Sequence, residues 1–244
     1  MKKKILVIGD SCRDVYAYCT SDRMAPDKPV PVLEVVDHEE NPGMAKNVCA
    51  NIKSLDEACD ICTNPNWYDI TKTRYVHKSS NHMFFRVDSK STVERINLDN
   101  LNLDQYETVI ISDYDKGFLR EDDIKIICSK HSCTFLDTKK ILGSWAANAS
   151  FIKINNYEYA RSKKYITSLL IPKIIQTCGG DGCLYNGKKF LVEKSEVIDV
   201  SGAGDTFLAA LAVKYTETKN IEESIIFANE CASTVVKQRG VTVI

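Results

Sequence analysis

Nine residues, Asp199-Val200-Ser201-Gly202-Ala203-Gly204-Asp205-Thr206-Phe207, constrain the fold of this chain more than any other stretch. A strand-like run, 196–200, leads in, and an apolar helical run, 207–215, leads out. Between them, two glycines and an alanine leave backbone N–H groups uncovered where a helix begins. Such amides attract anions, because they point outward and the helix dipole adds partial positive charge. Asp205 stands at the mouth of that site. A carboxylate there repels a bound phosphate, so phosphate binding alone does not account for it. It suits a group that takes a proton from a hydroxyl attacking the phosphoryl group held by those amides. A glycine-rich turn whose aspartate caps a helix uses the same residue types, and short glycine motifs also recur by chance.

The rest of the chain supplies the frame. Its 244 residues, 44% hydrophobic and 27% charged, suffice for one large globular domain. Lys plus Arg number 32 and Asp plus Glu 33, so no global field favours nucleic acid or an anionic membrane. Local basic clusters must carry any anion recognition. The ten cysteines are scattered, several inside apolar runs where a thiol packs as a small hydrophobe. Cys59-Asp60-Ile61-Cys62 is the sole C-x-x-C, with no second pair or histidines at zinc spacing. Packing or a redox role remains for it. Met1-Lys2-Lys3-Lys4 leads into a short strand-like run rather than a secretory leader, and no apolar run is long enough to span a bilayer. A reduced cytoplasm is the expected setting.

Run 4–8 reads as a buried first strand ended by Gly9. Asp10 then lies at its carboxyl end, where open α/β sheets bind ligands, and Asp14 follows. Turn formation or capping is the plainer role for either aspartate. Pro26, Pro29 and Pro31 exclude helix. Residues 30–36 read as an extended edge strand, Asn41-Pro42-Gly43 as a turn, 44–55 as a helix with Ala45, Val48, Cys49 and Ile52 on one face, and 58–62 as a short strand. Runs 71–76 and 82–87 pair as a hairpin around 78–81. With 30–36 they make a small projecting sheet, suited to covering a ligand and excluding water.

From residue 108 the pattern becomes regular. Strand runs 108–112, 133–137, 151–154 and 172–177 alternate with helical runs 122–129, 141–147 and 157–170, the last divisible in two. Such alternation argues for a parallel sheet with crossover helices. A tight turn at 179–182 precedes a hairpin, 183–185 with 189–192, around Asn186-Gly187. A last helix spans about 221–238.

The D-V-S-G-A-G-D-T-F string closely resembles the signature of the ribokinase-like (pfkB-type) carbohydrate kinases. Other stretches resemble one branch of that family, the D-glycero-β-D-manno-heptose 7-phosphate kinases, which form the kinase half of bifunctional ADP-heptose synthases. They are Gly9-Asp10 with Asp14, residues 21–32 and 42–48, Lys72-Thr73-Arg74, Arg86-Val87-Asp88, residues 112–117, Asp137-Thr138-Lys139 and Asn155-Asn156-Tyr157-Glu158. They stand in the family's order and cover nearly the whole chain. Residues 23–32 and 112–117 favour the heptose branch over ribokinase or fructokinase.

The resemblance implies a three-layer α/β/α sandwich with a mostly parallel sheet. It implies one kinase domain over 1–244, with a lid formed by about 12–40 and 71–88. It makes Asp205 the catalytic base and Gly202, Ala203 and Gly204 the anion hole. Around the sugar it places Asp10, Asp14, Gly43 and Asn47, with glycine letting the sugar approach the backbone. Arg74, Arg86 and Lys116, then Arg23, are the candidates for a phosphate already on the substrate, since a guanidinium meets phosphate oxygens two at a time. Each basic residue alone also reads as a solvated surface charge. The resemblance places Asn155, Asn156, Tyr157, Glu158, Thr177, Gly179, Gly182 and Asn229 near ATP, with Glu158 reaching Mg2+ through water. Asn155 or Asn156 also reads as a helix N-cap.

The implied reaction carries the γ-phosphate of ATP to the anomeric hydroxyl of a heptose 7-phosphate, in a homodimer joined through the lid. Met44 and Lys46 stand where the family carries glycine and alanine, and are expected to add bulk and charge beside the sugar. The stretch 62–67 is shorter than in the family, and the chain stops at Ile244, so a more open nucleotide site is expected. A kinase for another sugar, or a shortened binding homologue without activity, are the alternatives.

Overall fold

Strand β1 (Lys4–Gly9) sends Ile5 and Val7 to one face of a sheet and Leu6 and Ile8 to the other, all buried. That double burial is what a strand covered by helices on both sides requires. The computed structural model describes residues 4–55, 57–89, 92–194 and 196–244.

The elements follow in chain order. A long hairpin, β2 (Ser11–Met24) with β3 (Pro31–Met44), runs into α1 (Ala45–Ser54) and then β4 (Ala58–Thr63). A second hairpin, β5 (Thr71–His77) with β6 (Met83–Asp88), comes next. After it come β7 (Thr108–Asp113), α2 (Glu121–Lys130), β8 (Thr134–Thr138), β9 (Phe151–Asn155), α3 (Asn156–Ser162) and β10 (Ile174–Thr177). The short β11 (Cys183–Tyr185) and β12 (Lys188–Phe190), then α4 (Ala203–Thr218) and α5 (Ile221–Val235), close the chain.

The main sheet has the order β12-β11-β10-β9-β8-β7-β1-β4. It is parallel from β4 to β10 and antiparallel only at β11 and β12. On one face, Ile5, Val7, Ile110, Phe135 and Ile175 pack with α1, α4 and α5. On the other, Leu6, Ile8, Val109, Ile111 and Leu136 pack with Ile124 and Ile127 of α2. Each such side chain contributes roughly 1.5–3 kcal/mol when fully buried. Residues 205–213 of α4 are buried without a break, because the helix is enclosed by the sheet, α1 and α5.

The separate four-stranded sheet has the order β3-β2-β5-β6, with β2 and β5 parallel and the outer pairs antiparallel. It is the projecting lid expected from the sequence, with longer strands. Asn41-Pro42-Gly43 is not a turn: it lies inside β3, paired with Asp14, Arg13 and Cys12. Proline is tolerated there because β3 is an edge strand. The helix expected at 141–147 is a single 3-10 turn at Ser144–Ala146. That expected at 157–170 ends its α portion at Ser162. The run 196–200 is irregular rather than a strand, with the amides of Ile198 and Asp199 both donating to the Val236 carbonyl after α5. Val197 and Val200 line a cleft instead of pairing in a sheet. Cys59 and Cys62 face opposite sides of the main sheet, so they share neither a metal nor a disulfide.

Candidate active site

The parallel register sets Gly9 beside Ser112, Ser112 beside Asp137, and Asp137 beside Lys153. The carboxyl ends of β1, β7, β8 and β9 therefore share one edge, the usual ligand edge of such sheets. Asp10 follows β1 there, but its carboxylate is spent on the chain. It accepts the backbone N–H groups of Tyr114 (2.8 Å), Lys116 (3.4 Å) and Phe118 (3.2 Å). Asp10 is thus a buried clamp on the loop after β7, not a free ligand for a sugar.

Asp205 lies in the first turn of α4, whose N-cap, Gly202, has φ 80°. The carboxylate is buried. Its Oδ1 accepts the Tyr114 hydroxyl at 2.6 Å and its Oδ2 accepts the Asn47 amide at 3.0 Å. Burial pushes the Asp205 carboxyl above its usual range; the two hydrogen bonds and Lys153 oppose the rise and Asp137 adds to it. Burial, reinforced by the Asp205 carboxylate, pushes the Tyr114 phenol far above its usual value, so Tyr114 is the donor. Asn47 is fixed in turn by Asn51, whose amide donates to it and whose Oδ1 accepts the Thr206 hydroxyl beside Asp205.

The amides of Ala203 and Asp205 turn back to Val200 and Gly202 (3.3 and 2.9 Å). Among the described residues, nothing accepts from the amides of Gly202 and Gly204. Gly204 also admits Lys153, whose ammonium lies 3.0 Å from where a Cβ would stand. Lys153 is buried and pairs with Asp137 at 2.7 Å. Its signal in the sequence is a lysine inside an apolar strand two residues before Asn155, because a buried ammonium needs a charged partner.

A cleft of about 750 Å³ opens at this helix end. Asn155, Asn156, Tyr157, Thr177, Gly179, Gly182 and Asn229 line it together with Gly204 and Lys153, while Glu158 does not. Val192, Val197, Val200, Phe207 and Val236 give it an apolar side. Asn155 and Glu158 form a reciprocal capping box on α3, with Asn155 accepting the Glu158 N–H (2.8 Å) and Glu158 accepting the Asn155 N–H (2.9 Å). Asn229 also has a structural bond, from its amide to the Phe190 carbonyl (3.1 Å). Lys139 bridges Glu158 (2.6 Å) and Asp137 (3.4 Å). Burial pushes Asp137 up, but Lys139 and Lys153 outweigh it and hold it below its usual range.

Both oxygens of Glu158 are thus committed. Among the described residues, no three His, Cys, Asp or Glu side chains gather to hold a metal. The described residues offer no all-protein cage; a hard cation that keeps its waters and rides on a ligand's own phosphates is the kind that such a sparse donor set fits.

The lid brings a second polar face over Asp205. Lys72 and Asp88 are cross-strand partners, as are Arg74 and Arg86. Arg74 is ion-paired with Asp14 at 2.6 Å, and Arg86 with Asp88 at 2.7 Å. Burial lowers the Lys72 ammonium, Asp14 counters this, and Lys116 and Arg86 add repulsion. Lys72, Arg86 and Lys116 therefore form one cationic group. Lys72 belongs to a motif seen in the sequence but was not singled out there.

Gly43 makes room for Asp14, since a Cβ there would stand 2.5 Å from the Asp14 carboxylate. Arg23 is exposed nine residues beyond Asp14 along β2, roughly 30 Å by strand rise, and the structure does not bring it to this site. Met44 is buried in the core, and Lys46 lies over the Trp67 ring at 4.0 Å. Neither intrudes on the space before Asp205, contrary to expectation.

Comparison with known proteins agrees with this geometry. Residues 143–244 match the family described as pfkB family carbohydrate kinase. The chain is 30% identical to the bifunctional protein HldE of Helicobacter pylori strain J99, over 98% of this chain and 64% of that protein. It is 28% identical to the bifunctional protein HldE of a Nitratiruptor species, over 98% of this chain and 63% of that protein. The chain therefore spans a little under two thirds of these curated relatives. Its fold is similar to ribokinase from Thermotoga maritima (TM-score 0.75, 17% identity, 99% and 95% of the two chains). It is also similar to Arabidopsis thaliana ribokinase complexed with ribose and ATP (TM-score 0.74, 16% identity, 98% and 94%).

Proposed function

The chain belongs to the ribokinase-like, pfkB-type family, and from that premise we propose that it is an ATP-dependent sugar kinase acting on a heptose 7-phosphate. The γ-phosphate passes to the anomeric hydroxyl, giving a 1,7-bisphosphate. The observation that carries this reading is the placement of Asp205, buried beside the open end of α4, between the nucleotide cleft and the cationic face of the lid.

In this reading the adenine rests on the apolar side of the cleft and the phosphates point at Gly202, Gly204 and Lys153. Preorganised amides and a buried ammonium stabilise charge that develops on the transferring group. Asp205 accepts the proton of the attacking hydroxyl. Mg2+ carried on the ATP phosphates would supply charge neutralisation there, with Glu158 the residue that would reach it through water. Lys72, Arg86 and Lys116 hold the substrate's own phosphate, which favours a phosphorylated sugar over a plain one. Asp14, oriented by Arg74, and Asn47 are within the same enclosure for sugar hydroxyls.

The same reading treats the chain as one kinase domain with the two hairpins as lid, working in the cytoplasm. It is also a homodimer. Val35, Val36, Met83, Phe85 and Val87 are exposed on the lid, and a second copy's lid is the cover they fit.

The test is ADP release across a panel of sugars and sugar 7-phosphates, with Asp205→Asn as control. Release with a heptose 7-phosphate, abolished in the variant, is expected. Release only with unphosphorylated sugars would overturn the substrate assignment, and near-normal turnover of Asp205→Asn would overturn the mechanism.

A further inference from the structure

Tyr114 occupies a position that its sequence neighbours do not explain. Its backbone N–H is clamped by Asp10 and its hydroxyl is bonded to Asp205. Its ring has Lys72 of the lid at 4.9 Å and Lys139 of the nucleotide side at 5.1 Å. The residue thus stands between the two halves of the site and touches the base between them. We propose that Tyr114 is the positioning residue for Asp205: its hydroxyl fixes one carboxylate oxygen, while Asn47 fixes the other. The inference rests on the kinase reading for its consequence in turnover, but not for its physical content.

The groups facing Asp205 come from several elements. Asp137 on β8 disfavours its charge; Lys153 on β9 and Lys139 just beyond β8 favour it; Cys12 on β2 is a buried thiol nearby. Asn47 on α1 and Tyr114 are the two direct donors. Of these two, the phenol makes the shorter bond. A hydrogen bond to an ionised acceptor is among the stronger ones in a protein, and in a buried site it is little screened. Asp10 makes the arrangement rigid, because three backbone donors on one buried carboxylate hold the loop that carries Tyr114.

The experiment reads the carboxyl group itself. The 13C carboxyl resonance of Asp205, identified by its loss in Asp205→Asn, is titrated in the full chain and in Tyr114→Phe. Removing the donor takes support from the anion, so the midpoint rises, by about one pH unit. Replacing Tyr114 with 3-fluorotyrosine keeps the shape and strengthens the donor, so the midpoint falls; this arm serves if the phenylalanine variant folds poorly. Midpoints that do not move in either protein overturn the proposal. In turnover, Tyr114→Phe is expected to lower kcat about tenfold and to shift its acid limb upward with the same sign, leaving the KM for ATP unchanged. Displaced midpoints in a chain that phosphorylates no sugar would support the positioning role and reject the kinase reading. Unmoved midpoints in an active kinase would do the reverse.

Discussion

The Lys153 ammonium sits 3.0 Å from the point a Cβ on Gly204 would occupy, and 2.7 Å from Asp137. One buried cation therefore serves both the open end of α4 and the Asp137 carboxylate on β8. Lys153→Met is expected to fold less stably, because Asp137 keeps only Lys139, and to lose turnover by about two to three orders of magnitude, as removal of one charge-stabilising donor does. Gly204→Ala meets only the end of a flexible side chain, so its melting temperature should stay close to wild type while kcat falls. Steady-state kinetics and thermal melts of the two variants check both statements. Unchanged kcat in either contradicts the role given to this corner.

The pH dependence follows from Asp205. Burial raises its carboxyl above the usual range, so the protonated, inactive form persists to higher pH than for an ordinary aspartate. The acid limb of kcat is expected above the ordinary value of about 3.9. The sign for stability is opposite. A folded-state value above the unfolded one gives stability that is present below the unfolded value and lost as pH rises through the folded value. Asp205→Asn carries no such loss. Its melting temperature relative to wild type should improve on going from about pH 4 to about pH 8.

In the proposed function, Lys72, Arg86 and Lys116 are the residues that select a phosphorylated acceptor. Lys72→Met and Arg86→Gln are expected to raise KM for a sugar 7-phosphate at least tenfold and to leave KM for ATP within about twofold, since a charge-assisted phosphate contact is worth roughly 1.5–3 kcal/mol. Competition by inorganic phosphate against the sugar phosphate, weakened in the variants, is an independent measure. Equal effects on phosphorylated and plain sugars would contradict the assignment.

Arg74 and Asp14 form a largely enclosed pair at 2.6 Å. Arg74→Met strands the Asp14 carboxylate beside Gly43 and is expected to cost about 3 kcal/mol in urea unfolding. A loss below about 1 kcal/mol would show that the pair behaves as a surface bridge.

Much of this was legible in the chain. The strands 108–112, 133–137 and 151–154 were readable because burial on both faces leaves continuous apolar runs. The turn at Asn186-Gly187 declared itself through residues that accept positive φ, and both adopt it. The 199–207 string pointed to a helix start with Asp205 in its first turn because that geometry is local. What was hidden depends on partners far along the chain. Asn41-Pro42-Gly43 has turn composition, yet pairing with 12–14 draws it into β3. Asp10 looked like a ligand because nothing nearby reveals that its acceptors are used by residues 114–118. Lys153 and Tyr114 escaped notice because a lysine in a strand and a tyrosine in a loop have no pattern of their own until Asp137, Gly204 and Asp205 are brought against them. Arg23 was overread, since sequence order does not tell how far a strand carries a side chain.

Strand β3 passes into α1 without a linker, so Gly43, which seats Asp14, and Asn47, which holds Asp205, are separated by only three residues. In the proposed kinase, the cover over the acceptor and the brace on the proton acceptor belong to one continuous stretch of chain, and engagement of the sugar and readiness of the base become one mechanical event.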